Sequence, residues 1–177
     1  GLATTFLKAQ GHEVGHSLVE EERMDVALDI LRDAKSQGVT VYLPSDLVVA
    51  DSFAAHAPHR TTLISQIPKN SHVMDIGPKT VRAFAQGLQE CRTVIWNGPM
   101  GVFEFEPFSA GTRGIAQAMA DLDGAITVVG GGSTAEAIQE MGLANSMNHV
   151  SMGGGASLEF MEGRELPGIA TLLDKED

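Results

Sequence analysis

Positive charge is scarce in this sequence, and it is scattered. Lys and Arg total 12 against 23 Asp and Glu, a formal net charge of −11, with no basic cluster. That balance sets aside a nucleic-acid backbone or an anionic membrane surface as a partner. Any phosphate held here must be held by backbone dipoles, a metal ion or cations from elsewhere. One cysteine, Cys91, leaves no internal disulfide and suits a reducing compartment, so a cytoplasmic chain is expected. No apolar run approaches the roughly 18 residues of a membrane span, and the opening residues do not read as a signal peptide. What is present, 177 residues with 43% hydrophobic and 20% charged, suits one globular domain with a real core.

Glycine is abundant, and it falls in an informative pattern. The apolar run Ala125-Ile-Thr-Val-Val129 meets Gly130, Gly131 and Gly132, then the helix-forming Ser133-Thr-Ala-Glu-Ala-Ile-Gln-Glu140. His149-Val-Ser-Met152 meets Gly153, Gly154 and Gly155, then Ala156-Ser-Leu-Glu-Phe-Met-Glu162. Strand, glycines, helix points bare N–H groups and a positive helix end at one spot. Two such units in one parallel sheet open on the same edge. That edge reads as a seat for phosphates. Two plainer readings stand beside it: Ser133-Thr-Ala-Glu136 is also a capping box, and glycines also permit close helix–strand packing. The pattern is neither a Walker A loop nor G-x-G-x-x-G.

Taken in order, the chain opens with a glycine turn and a short helix over about 3–10, as in a piece of a longer protein whose preceding strand lies upstream. His12-Glu-Val-Gly-His16 has the letters of a zinc-protease motif, but glycines at 11 and 15 place it in a loop. Ser17-Leu-Val-Glu20 reads as a capping box opening a helix over about 18–37, with Met24, Ala27, Leu28, Leu31 and Ala34 as its apolar stripe. Val39–Leu43 reads as a buried strand and Leu47–Ala50 as a second short run. Residues 52–73 read as loop, and His56, His59 and His72 receive no role. Asp75-Ile-Gly-Pro78 opens a helix, with Pro78 in its first turn. Thr93–Trp96 is a strand, and a helix follows over about 108–121. The alternation predicts an α/β fold with a doubly wound parallel sheet, Rossmann-like and three-layered, incomplete at its N-terminal end.

Asn97-Gly-Pro-Met-Gly-Val-Phe-Glu104 follows a strand end, where open α/β sheets bind ligands. An amide and a carboxylate there suit a ribose, with Pro99 and Val102 as an apolar wall; Glu104 and Glu106 are better read as solvated acids than as an acid/base pair. No Ser-His-Asp order, Cys-His pair or metal spacing appears. Chemistry at such a site is direct phosphoryl transfer, which needs positioning and charge stabilisation rather than a protein nucleophile.

Several stretches together resemble the phosphoglycerate kinase family. They are Leu43-Pro-Ser-Asp46 with Val48-Val-Ala-Asp51, Asp75-Ile-Gly-Pro-Lys79, Trp96 through Glu106, Gly153-Gly-Gly-Ala-Ser-Leu-Glu159, and Glu162-Gly-Arg-Glu-Leu-Pro-Gly168. The resemblance covers essentially all 177 residues and implies the later part of a nucleotide-binding C-terminal domain. It implies phosphoryl transfer between 1,3-bisphosphoglycerate and ADP, with ATP/ADP and Mg²⁺, in glycolysis. Asn97, Gly98, Pro99, Val102 and Glu104 would hold the nucleotide, Glu104 on the ribose, with Gly1, Leu18 and Met74 near the adenine. Gly131, Gly132 and Thr134 would meet the phosphates, and Gly153, Gly154 and Gly155 the phosphoryl group in flight.

Two positions depart from the family pattern. Ser133 stands where the family usually has an aspartate on the nucleotide's Mg²⁺, and Met152 where it usually has threonine. A hydroxyl is a poorer Mg²⁺ ligand than a carboxylate. The resemblance also implies that a phosphoglycerate-binding N-terminal domain, with its catalytic arginine, lies outside this chain, as do the lysines that meet the phosphates. The isolated chain is therefore expected to be inactive or nearly so, and to self-associate through an exposed sheet edge although the family is usually monomeric. The alternative is a non-catalytic nucleotide-binding or interaction module; a zinc hydrolase is a distant third.

Overall fold

The structure, a computed structural model, describes residues 1–172. The chain divides into two units: Gly1–Gln89 with Met100–Ile115, and Glu90–Pro99 with the chain from Ala116 onward.

The first unit opens with α1 (Leu2–Ala9) and α2 (Met24–Ser36). Three strands follow, β1 (Asp46–Ala50), β2 (His59–Leu63) and β3 (His72–Ile76), then α3 (Pro78–Leu88). The strands form an antiparallel sheet in the order β2-β1-β3, with Leu47 opposite Thr62 on one side and Ile76 on the other. Its core gathers Ala50, Ala57, Met74 and Phe108, with Val48, Val102 and Phe105 packed against them.

The second unit contains β4 (Thr93–Asn97), β5 (Ile126–Gly130), α5 (Gly132–Glu140), β6 (His149–Ser151), α6 (Gly154–Met161) and α7 (Pro167–Ala170). The helix α4 (Ala110–Ala120) runs from the first unit into the second. Strands β4, β5 and β6 pair in parallel, in that order. Val129, Ala135, Ala137 and Ile138 are fully enclosed, because the short apolar face of α5 has no other place to bury.

The α/β fold with a parallel sheet flanked by helices stands as expected. The differences in which segments are strand, loop or helix lie in the first unit. Val39–Leu43 is not a strand: Val39 is 60% exposed, and Tyr42 lies edge-on against Phe84 instead of in a ladder. β-Branched residues favour a pleated sheet only where a partner strand is available, and none pairs here. Residues 52–73, read as loop, contain β2 and the start of β3; β2 is a mostly exposed, polar edge strand, which hydrophobic patterning does not reveal. The helix expected from residue 18 starts at Met24 after a short 3₁₀ turn. Ser17 is not its cap, because its hydroxyl donates to the Val14 carbonyl and accepts from the Val73 N–H. His12–His16 is loop, as read, with the Glu13 carboxylate accepting the N–H groups of Val14 and Gly15.

Candidate functional site

The three strands of the second unit end level. Asn97 pairs with Gly130, and Gly130 with Ser151, so one row of residues closes the C-terminal edge of the sheet. Immediately beyond that row α5 and α6 begin.

Both helices start bare. Their N-caps are Gly131 and Gly153, neither helix has a side-chain cap, and neither has an acid in its first turn. Ser133 lies inside α5, its hydroxyl without a partner among the described residues, so the capping box read from Ser133 and Glu136 does not form. The N–H groups of Gly132, Ser133, Gly155 and Ala156 likewise find no acceptor among the described residues. Orphan donors of this kind at a helix start require water or a ligand.

The two bends touch. A Cβ added to Gly154 would lie 2.8 Å from the Cα of Gly131, so any side chain there pries the bends apart. Gly131 itself sits at φ +97°, where an L side chain is strained. Asn97 ties the row together: its amide donates to the Gly154 carbonyl at 3.2 Å. The Gly131 N–H donates to the Ser151 carbonyl at 3.1 Å. Gly98 is fixed from both sides, its N–H donating to Thr134 Oγ1 at 2.8 Å and its carbonyl accepting the Trp96 indole N–H at 2.7 Å. What results is two positive helix ends held side by side with uncharged donors pointing outward. That arrangement is chemically suited to an anion bearing several oxygens, and phosphate is the class it fits.

A family model described as phosphoglycerate kinase matches residues 1–164. The chain belongs to that family. A curated phosphoglycerate kinase from Roseiflexus sp. (strain RS-1) is 55% identical over 98% of this chain, and one from Moorella thermoacetica is 50% identical over 99%. The chain spans 44% of the length of each. Among solved structures, phosphoglycerate kinase from Coxiella burnetii superposes with a TM-score of 0.91 at 43% identity, covering 96% of this chain and 44% of that one. The enzyme from Pyrococcus horikoshii OT3 gives 0.73 at 32% identity, covering 96% and 42%.

The positions singled out from the phosphoglycerate kinase resemblance divide between the units. Asn97, Gly98, Pro99, Gly131, Gly132, Ser133, Thr134 and Gly153 to Gly155 all lie on or next to the row in the second unit. Thr134 is enclosed, and its hydroxyl already accepts from Gly98, so it shapes the edge from beneath. In the first unit Gly1 and Leu18 are neighbours, joined by Thr4, whose hydroxyl reaches both carbonyls. Met74 is buried in the core, and its carbonyl accepts the Val102 N–H at 2.9 Å. Glu104 is exposed.

The donor set does not fit a divalent cation. Mg²⁺ seeks anionic oxygens, whereas the bends of the second unit offer N–H groups, neutral hydroxyls and the uncharged amide oxygen of Asn97. Among the described residues no three His, Cys, Asp or Glu side chains come together as a metal site. No described helix is long and apolar enough to cross a membrane.

Sequence reasoning assigned no role to Asp46 and Asp75, the two buried acids of the first unit. The Asp46 carboxylate accepts the N–H groups of Lys79 and Thr80 and the Thr80 hydroxyl, so a residue of β1 caps α3. Burial pushes its pKa up, but these donors outweigh it and hold it below the ordinary range. Asp75 accepts from Gly111 at 2.6 Å, in the first turn of α4, and from Ile76 at 2.8 Å. Burial dominates there, and its pKa is raised to about 6. The available signal was an acid inside an apolar strand-like run, which is rarely buried without partners.

Proposed function

We propose that this chain supplies the nucleotide-polyphosphate half of a phosphoglycerate kinase. The whole protein then moves a phosphoryl group between 1,3-bisphosphoglycerate and ADP, giving 3-phosphoglycerate and ATP in glycolysis. The observation that carries the reading is the pair of touching, uncapped helix ends at the β5 and β6 edge, in a chain of this family. A transferring phosphoryl group spreads negative charge over its peripheral oxygens, and the protein's task is to position and stabilise that charge. Gly132 and Ser133 would hold the phosphates of ADP or ATP, and Gly153, Gly154 and Gly155 the group in transit. Asn97, Gly98 and Pro99 would set the edge. For the first unit the proposal keeps Glu104 and Val102 for the sugar, and Gly1 and Leu18 for the base, with Met74 acting through Val102. Phosphoglycerate belongs to the part of the enzyme beyond this chain, and a cytoplasmic setting goes with the lone exposed Cys91.

The test is calorimetric titration of the 177-residue chain with ADP, repeated with Gly154→Ala. Saturable binding by the native chain, weakened about tenfold or more by a methyl that parts the bends, supports the reading. No binding by a natively folded chain overturns it. A non-catalytic module is the second reading, favoured by Ser133 and by Met152, which is 66% exposed where the family usually has a hydroxyl. Adding the complementary N-terminal half in a coupled assay separates the two, because only the kinase half gains turnover.

A further inference from the structure

Within the first unit the segment from Met100 to Val102 is held by a buried polar clamp. Its consecutive N–H groups are all answered: those of Met100 and Gly101 donate to Thr112 Oγ1 at 3.1 and 3.4 Å, and that of Val102 to the Met74 carbonyl at 2.9 Å. Thr112 is fully enclosed, one turn before Ile115 and two before Met119, on the inward stripe of α4 where the pattern calls for an apolar side chain. Asp75, also buried, joins the end of β3 to the start of α4 by accepting the Gly111 N–H at 2.6 Å. A Cβ added to Gly101 or to Gly111 would collide with Asp75 Oδ1, although neither glycine has a positive φ. Both glycines therefore serve to let the backbone close on that carboxylate. Just beyond the clamp, Glu104 is exposed, and its carboxylate has no partner among the described residues.

We propose that Thr112, together with Asp75, is a positioning residue for the nucleoside: it fixes the segment that presents Val102 and Glu104, and touches no part of the ligand itself. The inference rests on the reading above that Val102 and Glu104 meet the sugar. Hydrogen bonds fix direction as well as distance, which apolar contact does not, so two donors converging on one enclosed hydroxyl set the orientation of the loop backbone. Burying an acid and a hydroxyl costs desolvation that apolar packing avoids; what the pair adds is one defined loop position. Valine has nearly the shape of threonine and accepts nothing, so it would leave the Met100 and Gly101 N–H groups unanswered and the segment free to shift. A displacement of about 1 Å is enough to spoil a contact of this kind. The proposed phosphate contacts belong to the second unit and have no share in the clamp. Its loss therefore divides the nucleotide, weakening the nucleoside contact and sparing the phosphates.

Titrating ADP and, separately, pyrophosphate into the 177-residue chain tests this. Thr112→Val should weaken ADP binding by about five- to tenfold and leave pyrophosphate within about twofold of native. Thr112→Ser keeps the hydroxyl and should bind ADP within about twofold of native. Glu104→Ala should reproduce the Thr112→Val pattern, and adding Thr112→Val to it should weaken ADP by less than about a further twofold, because both act on one contact. Gly101→Ala presses the same segment away from Asp75, should give the same selective loss, and replaces Thr112→Val if that variant does not fold. Unchanged ADP affinity in Thr112→Val or Glu104→Ala, equal loss for ADP and pyrophosphate, full additivity of the two substitutions, or a loss in Thr112→Ser as large as in Thr112→Val would overturn the inference while leaving the nucleotide reading intact. Absence of binding of either ligand to the native chain, with a native circular dichroism spectrum, removes the nucleotide reading and this inference together.

Discussion

The starts of α3 and α4 on one side, and of α5 and α6 on the other, are built in opposite ways, although α1 of the first unit also begins at a glycine without a side-chain cap. At α3 every donor is answered from inside: Gly77 N–H by the Asp46 carbonyl, Lys79 and Thr80 N–H by the Asp46 carboxylate, and Val81 N–H by Gly77. Pro78 has no N–H to answer. Asp75 does the same for Gly111 at α4. At α5 and α6 the corresponding places are glycines, and the donors remain open. Both solutions answer the same electrostatic requirement, since a helix start needs negative charge or acceptors beside it. At α3 and α4 the acceptor is part of the chain and the result is stability. At α5 and α6 the donors are left open, which is what the proposed phosphate seat requires.

The sharpest way to break this comparison is to remove the internal acceptor. Asp46→Ala takes three hydrogen bonds from the start of α3 and should cost about 3 kcal/mol in urea unfolding, with faster amide exchange in the first turn of α3. A loss below about 1 kcal/mol would mean that the cap is incidental.

Acid titration should set the two aspartates against each other. The folded pKa of Asp75, about 6, exceeds its ordinary value of 3.8, so the folded state holds the proton more tightly in that window. Its contribution is greatest below the ordinary value and declines by about 2–3 kcal/mol as pH rises from about 4 to about 6. Asp75→Asn should abolish that decline. Asp46, with its pKa lowered, has the opposite sign: its contribution is present above the ordinary carboxylate pKa and is lost as pH falls through the folded value. Stability measured across this range in the two single variants resolves the slopes, and a rise with pH attributable to Asp75 would refute the assignment.

A smaller effect is expected at the open ends. Pyrophosphate at about ten times its Kd should stabilise the chain by about 1.4 kcal/mol and slow amide exchange in the first turns of α5 and α6, leaving α3 unchanged. Equal protection at all three helices would erase the contrast. Smallest of all, Ser133→Asp should stabilise the ligand-free chain by about 0.3–1 kcal/mol, because a bare helix end gains from an acid. Thermal unfolding without ligand at low salt reads it.

Much of the glycine-lined sheet edge was legible locally. A strand-like run ending in glycines and followed by helix formers needs no distant information, and both β5–α5 and β6–α6 appear within a residue or two of their expected limits. Pro78 likewise marks the start of α3 from its own ring chemistry. Wrong or missing expectations involve a partner far along the chain. Val39–Leu43 has the composition of a strand and no ladder, while His59–Leu63, polar and exposed, is a strand because β1 pairs with it. Ser17 and Ser133 both occupy capping-box patterns and cap nothing, while the acid that caps α3 comes from β1.

The sequence by itself determined the α/β class, the position of the glycine bends, the absence of a basic cluster to replace them, and membership of the family. These follow from residue chemistry and short spacings, which are properties of the chain before it folds. Only the tertiary structure decided which strands pair, which hydroxyls are consumed, and which helix starts are answered from within. Hydrogen-bond partners are settled by proximity in space: Asp46 and Thr80 lie 34 residues apart, and Asp75 and Gly111 36. No local pattern records that the same device is absent at Gly131 and Gly153.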